Sequence, residues 1–458
     1  MRVAFVTAEL APVAAVGGLA AAAAGLVKEL RALGLDVDVV MPDYGGIELA
    51  DEHIDELVVP TWVGPAQIRR GVHADVGPLH LVRADGLARS HPYLRPSGEG
   101  WPDNAERFFR FARSVAAWLD ADPPDVVHLN DWHTGPVLAA LDGAQPTVLS
   151  IHNLAYQGTT DARWLGRIGP RGEHYEWWGA TNPLSGAIAL ADRIVAVSPH
   201  YATEIMTPEG GFGLDAPLRQ RWDAVTGILN GIDTEVWDPS ADRLIPARFD
   251  RRSLDDRVRN RTALLDRLGF PHDQVPLAAI VTRLTEQKGI DLIEPLVPLL
   301  AEIPARLGVL GSGDAELGGR LHRLADEHGD RFAFVDGYDE ALSHLMFAGS
   351  DLYLMPSRFE PCGLTQMQAM RYGSIPVVTA VGGLVDTVPD ADEDTRRGLG
   401  FVARRARSED VLAALFRANR RMRDPRRRAA LQRRGMAVDW SWRTPSEQYR
   451  TLYASLVR

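Results

Sequence analysis

The sequence predicts an α/β protein made of two Rossmann-like, doubly wound domains that face each other across a cleft. The chain has 458 residues, which is too long for a single hydrophobic core. Short apolar segments are repeatedly followed by glycine or polar residues and then by apolar residues at helical spacing, as in parallel sheets covered by helices. This pattern occurs twice, and the polar run from Pro239 to Arg259 separates the two sets. We therefore place a domain boundary after residue 240 and expect a ligand in the cleft.

The first domain, residues 1–240, opens with a strand, a glycine turn, a helix and a second strand. Val3–Thr7 and Val37–Met41 are predicted strands, and leucines recur at helical spacing from Leu19 to Leu33. Gly17 and Gly18 form the turn, which allows a ligand to approach the backbone closely. The turn lacks the G-x-G-x-x-G fingerprint of dinucleotide-binding domains. A tight turn without a ligand is the alternative interpretation.

Three later predicted strands of this domain end in polar residues. They are Asp125–Leu129, Thr147–Ile151 and Ile194–Val197, and the first two are followed by Asn130–His133 and His152–Asn153. In open parallel sheets, ligands bind at the carboxyl ends of the strands, so we expect a site among these polar side chains. The histidines have no neighbours at the spacing of metal ligands, and we expect no metal here.

The second domain, residues 241–436, repeats the arrangement. Leu277–Val281 is a predicted strand, and Arg283 and Lys288 follow it. A final amphipathic helix is predicted from Trp440 to Leu456, within a third segment of residues 437–458. Further apolar segments of the second domain lead into glycine turns, which again predicts a Rossmann-like sheet. These segments are Val309–Leu310, Phe332–Val335 and Ile375–Thr379.

The most informative stretch is the loop P-S-R-F-E-P-C-G-L-T-Q, from Pro356 to Gln366. It follows a predicted buried strand and leads into a predicted helix, Thr365–Tyr372. The first N–H groups of a helix have no partner within it, so they suit an anion such as a phosphate. Glu360 supplies a carboxylate beside this cradle, which is the combination that a sugar-phosphate enzyme needs. A charged surface turn in which Arg358 pairs with Glu360 is the alternative.

Composition limits the classes of partner and the compartment. The net charge of −11 argues against nucleic acid or an anionic membrane as the main partner. The uncharged stretch from Leu10 to Val27 is interrupted by Pro12 and by the glycine turn, so we expect neither a membrane span nor a signal peptide. The single cysteine, Cys362, rules out an internal disulfide and a cysteine zinc cluster, and it fits a reducing cytoplasm.

Eight motifs, spread in order over nearly the whole chain, resemble the bacterial glycogen synthase and plant starch synthase family of glycosyltransferases. The most specific of them is the loop P-S-R-F-E-P-C-G-L-T-Q. The others are V-G-G-L at Val16, N-D-W-H-T-G at Asn130, I-H-N-L-A-Y-Q-G at Ile151, A-D-R-I-V-A-V-S-P at Ala191, I-L-N-G-I-D at Ile228, T-R-L-T-E-Q-K-G at Thr282 and V-G-G-L-V-D-T-V at Val381.

The resemblance implies the GT-B fold, in which two Rossmann-like domains face a cleft and a C-terminal helix crosses back to the first domain. It also implies a retaining glucosyltransferase that moves glucose from a nucleotide sugar, with ADP-glucose favoured, to the non-reducing end of an α-1,4-glucan. No metal and no other cofactor are implied. The implied enzyme is cytoplasmic, and its partners are the nucleotide-sugar donor and an α-glucan or small sugar acceptor.

The resemblance also assigns roles to residues. Arg283 and Lys288 match the cations that bind the donor diphosphate, and Glu360 matches the carboxylate held near the donor sugar. Asp131 and His152, which line the sugar pocket, complete the implied catalytic set. The implied substrate-binding set is Gly17, Gly18, Asn153, Asn230, Tyr338, Cys362, Gly363, Leu364 and Thr365.

Two positions depart from the family pattern. Ala15 stands where the family has a lysine, and Ala21 stands where it has an acidic residue. Both changes remove a charge from the N-terminal half, whereas the diphosphate-binding motifs are intact. Two alternatives therefore stay open. One is a paralogue that glucosylates a small acceptor or uses another sugar nucleotide, and the other is a catalytically impaired protein that binds nucleotide sugar or glucan.

Overall fold

The computed structural model describes residues 1–457, which divide into two compact units. Unit 1 is Met1–Gly231 together with the segment that starts at Trp442, and unit 2 is Ile232–Ser441. The boundaries drawn from the sequence, after residues 240 and 436, lie a few residues inside unit 2. Residues 232–240 belong to unit 2 because the Trp237 ring stacks on His344, with ring centroids 4.2 Å apart.

Unit 1 contains a nine-stranded sheet in the order β12-β11-β7-β6-β1-β2-β5-β4-β3 and a small sheet in the order β8-β10-β9. The seven strands from β12 to β5 are parallel, and β4 and β3 continue the sheet in antiparallel pairing. The strands are β1 (Arg2–Val6), β2 (Asp36–Pro42), β3 (Ala50–Glu56), β4 (Ala66–His73), β5 (Gly77–Ala84), β6 (Val126–Asn130), β7 (Thr147–Ile151), β8 (Thr160–Asp161), β9 (Glu176–Trp177), β10 (Ala180–Thr181), β11 (Arg193–Ala196) and β12 (Val225–Gly227).

The helices of unit 1 connect these strands. They are α1 (Gly18–Ala32), α2 (Asn104–Ala121), α3 (Asp131–Thr134), α4 (Pro183–Leu190), α5 (Pro199–Glu204) and α6 (Asp215–Gln220). The strand order reverses at β1, which has β2 on one side and β6 on the other. Open parallel sheets bind ligands at such a switch point, at the carboxyl ends of the strands.

The C-terminal helix, Arg443–Leu456, completes the core of unit 1. Within the buried sheet, the His128 ring lies between two polar partners, with Nδ1 2.6 Å from the Tyr453 hydroxyl and Nε2 2.7 Å from Ser150 Oγ. The indole of Trp442 packs directly over Gly25 of α1, where a Cβ would collide with it. The predicted final helix is therefore present, although it begins at Arg443 rather than at Trp440.

Unit 2 contains a six-stranded sheet that is parallel throughout, in the order β15-β14-β13-β16-β17-β18. This is the strand order of a Rossmann fold, with the switch point between the first and fourth strands. The strands are β13 (Leu277–Leu284), β14 (Arg306–Gly313), β15 (Phe332–Asp336), β16 (Leu352–Met355), β17 (Ile375–Thr379) and β18 (Phe401–Ala403). Helices cover both faces; they are α7 (Arg257–Leu268), α8 (Ala315–Glu327), α9 (Glu340–Gly349), α10 (Thr365–Arg371), α11 (Gly382–Thr387), α12 (Ser408–Met422) and α13 (Pro425–Ala437).

Each strand predicted from the sequence is present within a few residues of its expected bounds, and two of them, Thr147–Ile151 and Ile375–Thr379, have the predicted bounds. The expected pair of Rossmann-like sheets is therefore found. No helix within residues 1–457 has the length and apolar character needed to cross a membrane.

Candidate active site

The predicted site residues fall into two groups, one in each unit. The group in unit 2 lies at the switch point, because the carboxyl ends of β13 and β16 carry the two predicted motifs. Arg283 is near the end of β13, where it pairs in register with Ser312 of β14. Its side chain is exposed, and it forms no hydrogen bond or ion pair with another residue among 1–457. A guanidinium left free at this edge can receive an anion.

Lys288 and Glu360 form an ion pair just after the strand that carries Arg283. Lys288 Nζ lies 2.6 Å from Glu360 Oε2, and the Ser357 hydroxyl donates to the same oxygen at 3.2 Å. The lysine ends a short 3₁₀ turn after β13, and the glutamate lies in the loop after β16. Because the Glu360 side chain is almost fully buried, its charge is balanced by this lysine.

The loop after β16 turns sharply at Gly363, whose φ of 71° is in the left-handed region that favours glycine. The buried Gln366 fixes the turn, because its Nε2 donates to the Cys362 carbonyl and to the Thr387 hydroxyl. Helix α10 then begins at Thr365, after Leu364. The N–H groups of its first turn have no helical acceptor, as predicted for this motif.

Arg358 does not pair with Glu360, so the alternative interpretation of this loop is wrong. Its guanidinium instead binds both carboxylate oxygens of Asp291, at 2.7 and 2.6 Å. A two-pronged pair of this kind satisfies the arginine and leaves Glu360 to Lys288. Asp291 is far from the loop in sequence, so no local pattern could have indicated it.

Tyr338 follows β15 and the left-handed Gly337, which has φ of 118°. Its ring is 81% exposed. An aromatic ring that stands out at the carboxyl edge of the sheet can stack on a flat partner.

In unit 1, Asp131 and His152 meet at the carboxyl ends of the neighbouring strands β6 and β7. Asp131 Oδ1 accepts the backbone N–H of His152 at 2.7 Å and that of Asn153 at 3.4 Å. Asp131 also has a φ of 58°, an unfavourable value for a non-glycine residue, and such strain clusters at functional sites. The strand ends of β6 and β7 thus hold the predicted polar residues together.

Burial shifts the pKa of both groups. It raises the pKa of the Asp131 carboxyl to about 7, although the hydrogen bonds from the backbone of His152 and Asn153 act to lower it. The negative charge of Glu9 adds to the rise. Burial also lowers the pKa of His152 to about 4, so its ring is neutral at pH 7. Asn130 donates its amide hydrogen to the Val6 carbonyl, which turns its oxygen toward His152 Nε2 at 2.9 Å. Nε2 therefore carries the ring proton, and Nδ1 is an acceptor.

The glycine turn has an anchor that the sequence did not predict. Glu9 Oε2 accepts the N–H groups of Val16 and Gly17, each at 2.9 Å. The Gly17 N–H is therefore already occupied, and the first free N–H groups belong to Gly18 and the start of α1. Of the two glycines in the implied substrate-binding set, Gly17 therefore has no backbone N–H left for a ligand.

Tyr93 is a second residue that the sequence did not single out. Its hydroxyl donates to Glu9 Oε1 at 2.8 Å, and its ring stacks on His133 with centroids 4.9 Å apart. The only local signal for Glu9 was its position two residues after the first predicted strand. Tyr93 lies in an irregular loop, where periodicity gives no signal.

Asn230, at the same edge of the unit 1 sheet, is buried with its Oδ1 unpaired among residues 1–457. A buried acceptor without a partner costs free energy unless a ligand or water satisfies it. Over the described part of the chain, no group of three His, Cys, Asp or Glu side chains is arranged to hold a metal ion.

Comparisons with known proteins agree with this geometry. The family model for the starch synthase catalytic domain matches residues 2–220, and the model for glycosyl transferases group 1 matches residues 266–435. A glycogen synthase of Anaeromyxobacter sp. (strain Fw109-5) is 43% identical over 477 residues, covering 100% of this chain and 99% of the relative. Glycogen synthase 1 of Methylococcus capsulatus is 41% identical and covers 99% of this chain and 96% of the relative.

Solved structures give the same result. The catalytic domain of starch synthase IV from Arabidopsis thaliana, bound to ADP and acarbose, matches with a TM-score of 0.90 and 33% identity, covering 100% of this chain and 99% of that chain. Sucrose-phosphate synthase from Thermosynechococcus elongatus matches with a TM-score of 0.64 at 19% identity, covering 99% and 98% of the two chains, and shows the shared fold alone. The resemblance and the fold class predicted from the sequence are confirmed. This chain therefore belongs to the glycogen synthase and starch synthase family of glycosyltransferases, and it has the GT-B fold.

Proposed function

We propose that this enzyme transfers glucose from ADP-glucose to the non-reducing end of an α-1,4-glucan, with retention of the anomeric configuration. The observation that carries the proposal is the Lys288–Glu360 ion pair beside the unpaired Arg283 at the switch point of unit 2. Family membership over the full chain supports the reaction, and ADP in the related plant starch synthase supports the donor. We assign donor binding to unit 2 and acceptor binding to unit 1.

Departure of ADP leaves negative charge on the diphosphate, and fixed cations stabilise that charge without reorganisation. Arg283 and Lys288 supply two such cations at one sheet edge. The N–H groups at Leu364 and Thr365, with the loop around Cys362 and Gly363, face phosphate oxygens in this proposal. Tyr338 stacks on the nucleobase. These cations take the role that a divalent metal fills in other transferases, so we propose a reaction that needs no added metal or other cofactor.

Glu360 acts on the sugar side of the same bond. Its pairing with Lys288 fixes the position of the side chain, which binds a sugar hydroxyl and stabilises positive charge on the glucosyl ring. We favour attack by the acceptor hydroxyl on the face from which ADP departs, with its proton passing to the leaving phosphate oxygen. A covalent intermediate on Glu360 is the alternative route to retention.

Unit 1 supplies neutral hydrogen-bonding groups. His152 offers Nδ1 as an acceptor for a hydroxyl, and Asp131, with a pKa of about 7, either accepts or donates. Asn153 and the unpaired Oδ1 of Asn230 add further polar contacts. Gly18 leaves the backbone open at the start of α1. Such groups suit the hydroxyls of glucose better than they suit a charged ligand.

The acceptor is tested directly with purified enzyme and radiolabelled ADP-glucose. Labelled glucose should enter glycogen, and the rate should be unchanged by EDTA. Replacing ADP-glucose with UDP-glucose tests whether the enzyme selects the nucleobase of the donor. Maltose and glucose 1-phosphate test the alternative of a small acceptor, which the departures from the family pattern at Ala15 and Ala21 raise. Transfer only to a small acceptor contradicts glucan elongation, and tight ADP binding without any transfer contradicts enzymatic activity.

We also propose a cytoplasmic location. The chain has a single cysteine, the buried Cys362, so it cannot form an internal disulfide, which is compatible with a reducing compartment. Fractionation of cells with an antibody against the protein tests this assignment, and recovery outside the cytoplasmic fraction contradicts it.

A further inference from the structure

In each of two turns of unit 1, an aromatic residue and the glycine that follows it both have left-handed backbone conformations. Trp178 and Gly179 have φ of 52° and 78°, and Phe212 and Gly213 have φ of 48° and 84°. Among residues 1–457, only Asp51 and Asp131 are other non-glycine residues with positive φ. This conformation costs an L-residue with a large side chain about 1–3 kcal/mol.

Neither the turn conformation nor burial favours a tryptophan at position 178. Ala180 pairs with Trp177 across the β9–β10 hairpin, so Trp178 and Gly179 form a two-residue loop. Positive φ at both positions marks the turn type for which Asn-Gly is favoured. Trp178 is 89% exposed, and its ring meets that of Trp177 only edge-on, with centroids 6.3 Å apart, so packing contributes little. A residue that breaks the local rule for so small a packing gain points to a function.

One side chain, Gln157, ties the two turns together. Its Nε2 donates to the Phe212 carbonyl at 2.9 Å, and its Oε1 accepts from Asn182 Nδ2 at 2.7 Å. The Asn182 N–H in turn donates to the Tyr175 carbonyl at 2.8 Å, which closes the base of the hairpin. Both aromatic turns are therefore fixed to the loop that carries Gln157.

That loop is continuous with the acceptor side of the active site. It begins at His152 and passes through Tyr156, whose ring is 52% exposed. Gly158 ends it, packed so closely on the Trp132 ring that no side chain fits there. Trp132 is the neighbour of Asp131. The surface with the exposed rings thus starts where the predicted sugar pocket ends.

We propose that Tyr156, Trp178 and Phe212 form a glucan-binding surface that holds the acceptor chain beyond its reacting end. The inference rests on the proposed function. Aromatic faces stack on the C–H faces of glucose rings, and rings fixed in advance lose little entropy on binding. A glucan fits best, because the surface continues from His152 on the proposed acceptor side, and its exposed charges are of both signs, with Asp161 beside Arg163.

The test uses Trp178→Asn combined with Phe212→Asn, because asparagine tolerates left-handed backbone and should keep both turns folded. Trp222→Ala is the matched control, since Trp222 is 70% exposed in the same unit but lies just before β12, at the amino ends of the parallel strands rather than after their carboxyl ends. Glycogen affinity is measured by native electrophoresis in gels containing glycogen, and thermal unfolding checks the fold. KM is then measured for glycogen, for maltose and for ADP-glucose.

The double variant should lose about tenfold in glycogen affinity and gain about tenfold in KM for glycogen. Its KM for maltose and for ADP-glucose, its kcat and its Tm should stay near wild-type values. Wild-type glycogen affinity in a folded double variant overturns the inference, and so does an equal loss in Trp222→Ala. If the wild type binds glycogen through these rings but transfers no glucose, the surface stands and the proposed reaction fails.

Discussion

Lys288 and Glu360 are 72 residues apart in sequence, yet their charged atoms lie 2.6 Å apart at the switch point of unit 2. The two side chains are only 19% and 6% exposed. In the proposed reaction the same lysine faces the donor diphosphate while the glutamate faces the sugar. The ion pair therefore sets the position of both groups before a donor binds, and it couples activity to stability at this site.

Glu360→Gln should lower kcat about 100- to 1,000-fold, as for the loss of one transition-state contact. Its fall in Tm should be smaller than that of Lys288→Ala, because the glutamine oxygen can still accept a hydrogen bond from the more exposed lysine. Lys288→Ala should lose as much activity and should also lower Tm. It leaves a buried carboxylate unpaired, which costs on the order of 3–5 kcal/mol. Initial rates with labelled ADP-glucose and scanning calorimetry measure the two effects. Arg358→Gln is the control, because its pair with Asp291 is about one-third exposed and worth about 0–1 kcal/mol.

Equal Tm values for Lys288→Ala and Arg358→Gln contradict the buried character of the Lys288–Glu360 pair. Near-normal turnover in Glu360→Gln removes the role proposed for the carboxylate.

Arg283→Ala should weaken ADP binding without altering stability. A charged hydrogen bond is worth about 1.5–3 kcal/mol, so we expect a loss of about 10- to 100-fold in affinity by titration calorimetry. Tm should be unchanged, because Arg283 has no partner among residues 1–457. Arg323→Ala, which removes an exposed cation from α8, should leave both quantities unchanged. A fall in Tm with intact ADP affinity assigns Arg283 a structural role instead.

The pH dependence of stability should report on Asp131. An unfolded aspartate has a pKa of about 3.9, whereas burial raises the folded value to about 7. Between these pH values the folded protein holds a proton that the unfolded chain has released, so this group's stabilising contribution is lost as pH rises through about 7. Asp131→Asn removes the titration and keeps an acceptor for the His152 N–H.

The Tm of Asp131→Asn relative to wild type should therefore be higher at pH 8 than at pH 5. Comparison of the two proteins at each pH cancels the titration of all other groups. A difference in Tm that does not change with pH contradicts the raised pKa.

Ala15→Lys combined with Ala21→Asp should raise the rate of transfer to glycogen several-fold. Both alanines are exposed beside the glycine turn, so the longer side chains fit without repacking. The added lysine supplies a cation beside the turn that Glu9 anchors. Ala32→Lys, at the other end of α1, is the control for added charge. Unchanged transfer in the double variant means that other residues already compensate for the two alanines.

The sequence predicted most strands of the two parallel sheets, because these are buried runs bounded by glycine and polar residues, but it did not predict β4, β5, β12, β18 or the small β8-β10-β9 sheet. It could not predict β3, whose seven residues are all exposed and follow no apolar alternation. That strand exists because it pairs with β4 at the sheet edge, which is a tertiary effect.

The candidate site was predictable where one continuous motif supplies several groups, as in Pro356–Gln366. It was not predictable where a partner comes from a distant segment. Asp291 captures Arg358, Glu9 anchors the turn at Gly17, and Tyr93 holds Glu9. These contacts depend on strand ends brought together by the sheet order, which local patterns do not encode.

The C-terminal helix also has a consequence for biosynthesis. The first 231 residues leave the ribosome without the segment that covers Gly25 and reaches His128. Unit 2 is a continuous stretch, so it can fold as soon as residues 232–441 are made, whereas unit 1 must wait for the segment that starts at Trp442. Unit 1 is therefore made first but completes its folding after unit 2. A chain that is released before Tyr453 is made lacks the residue that packs in the core of unit 1 and contacts His128.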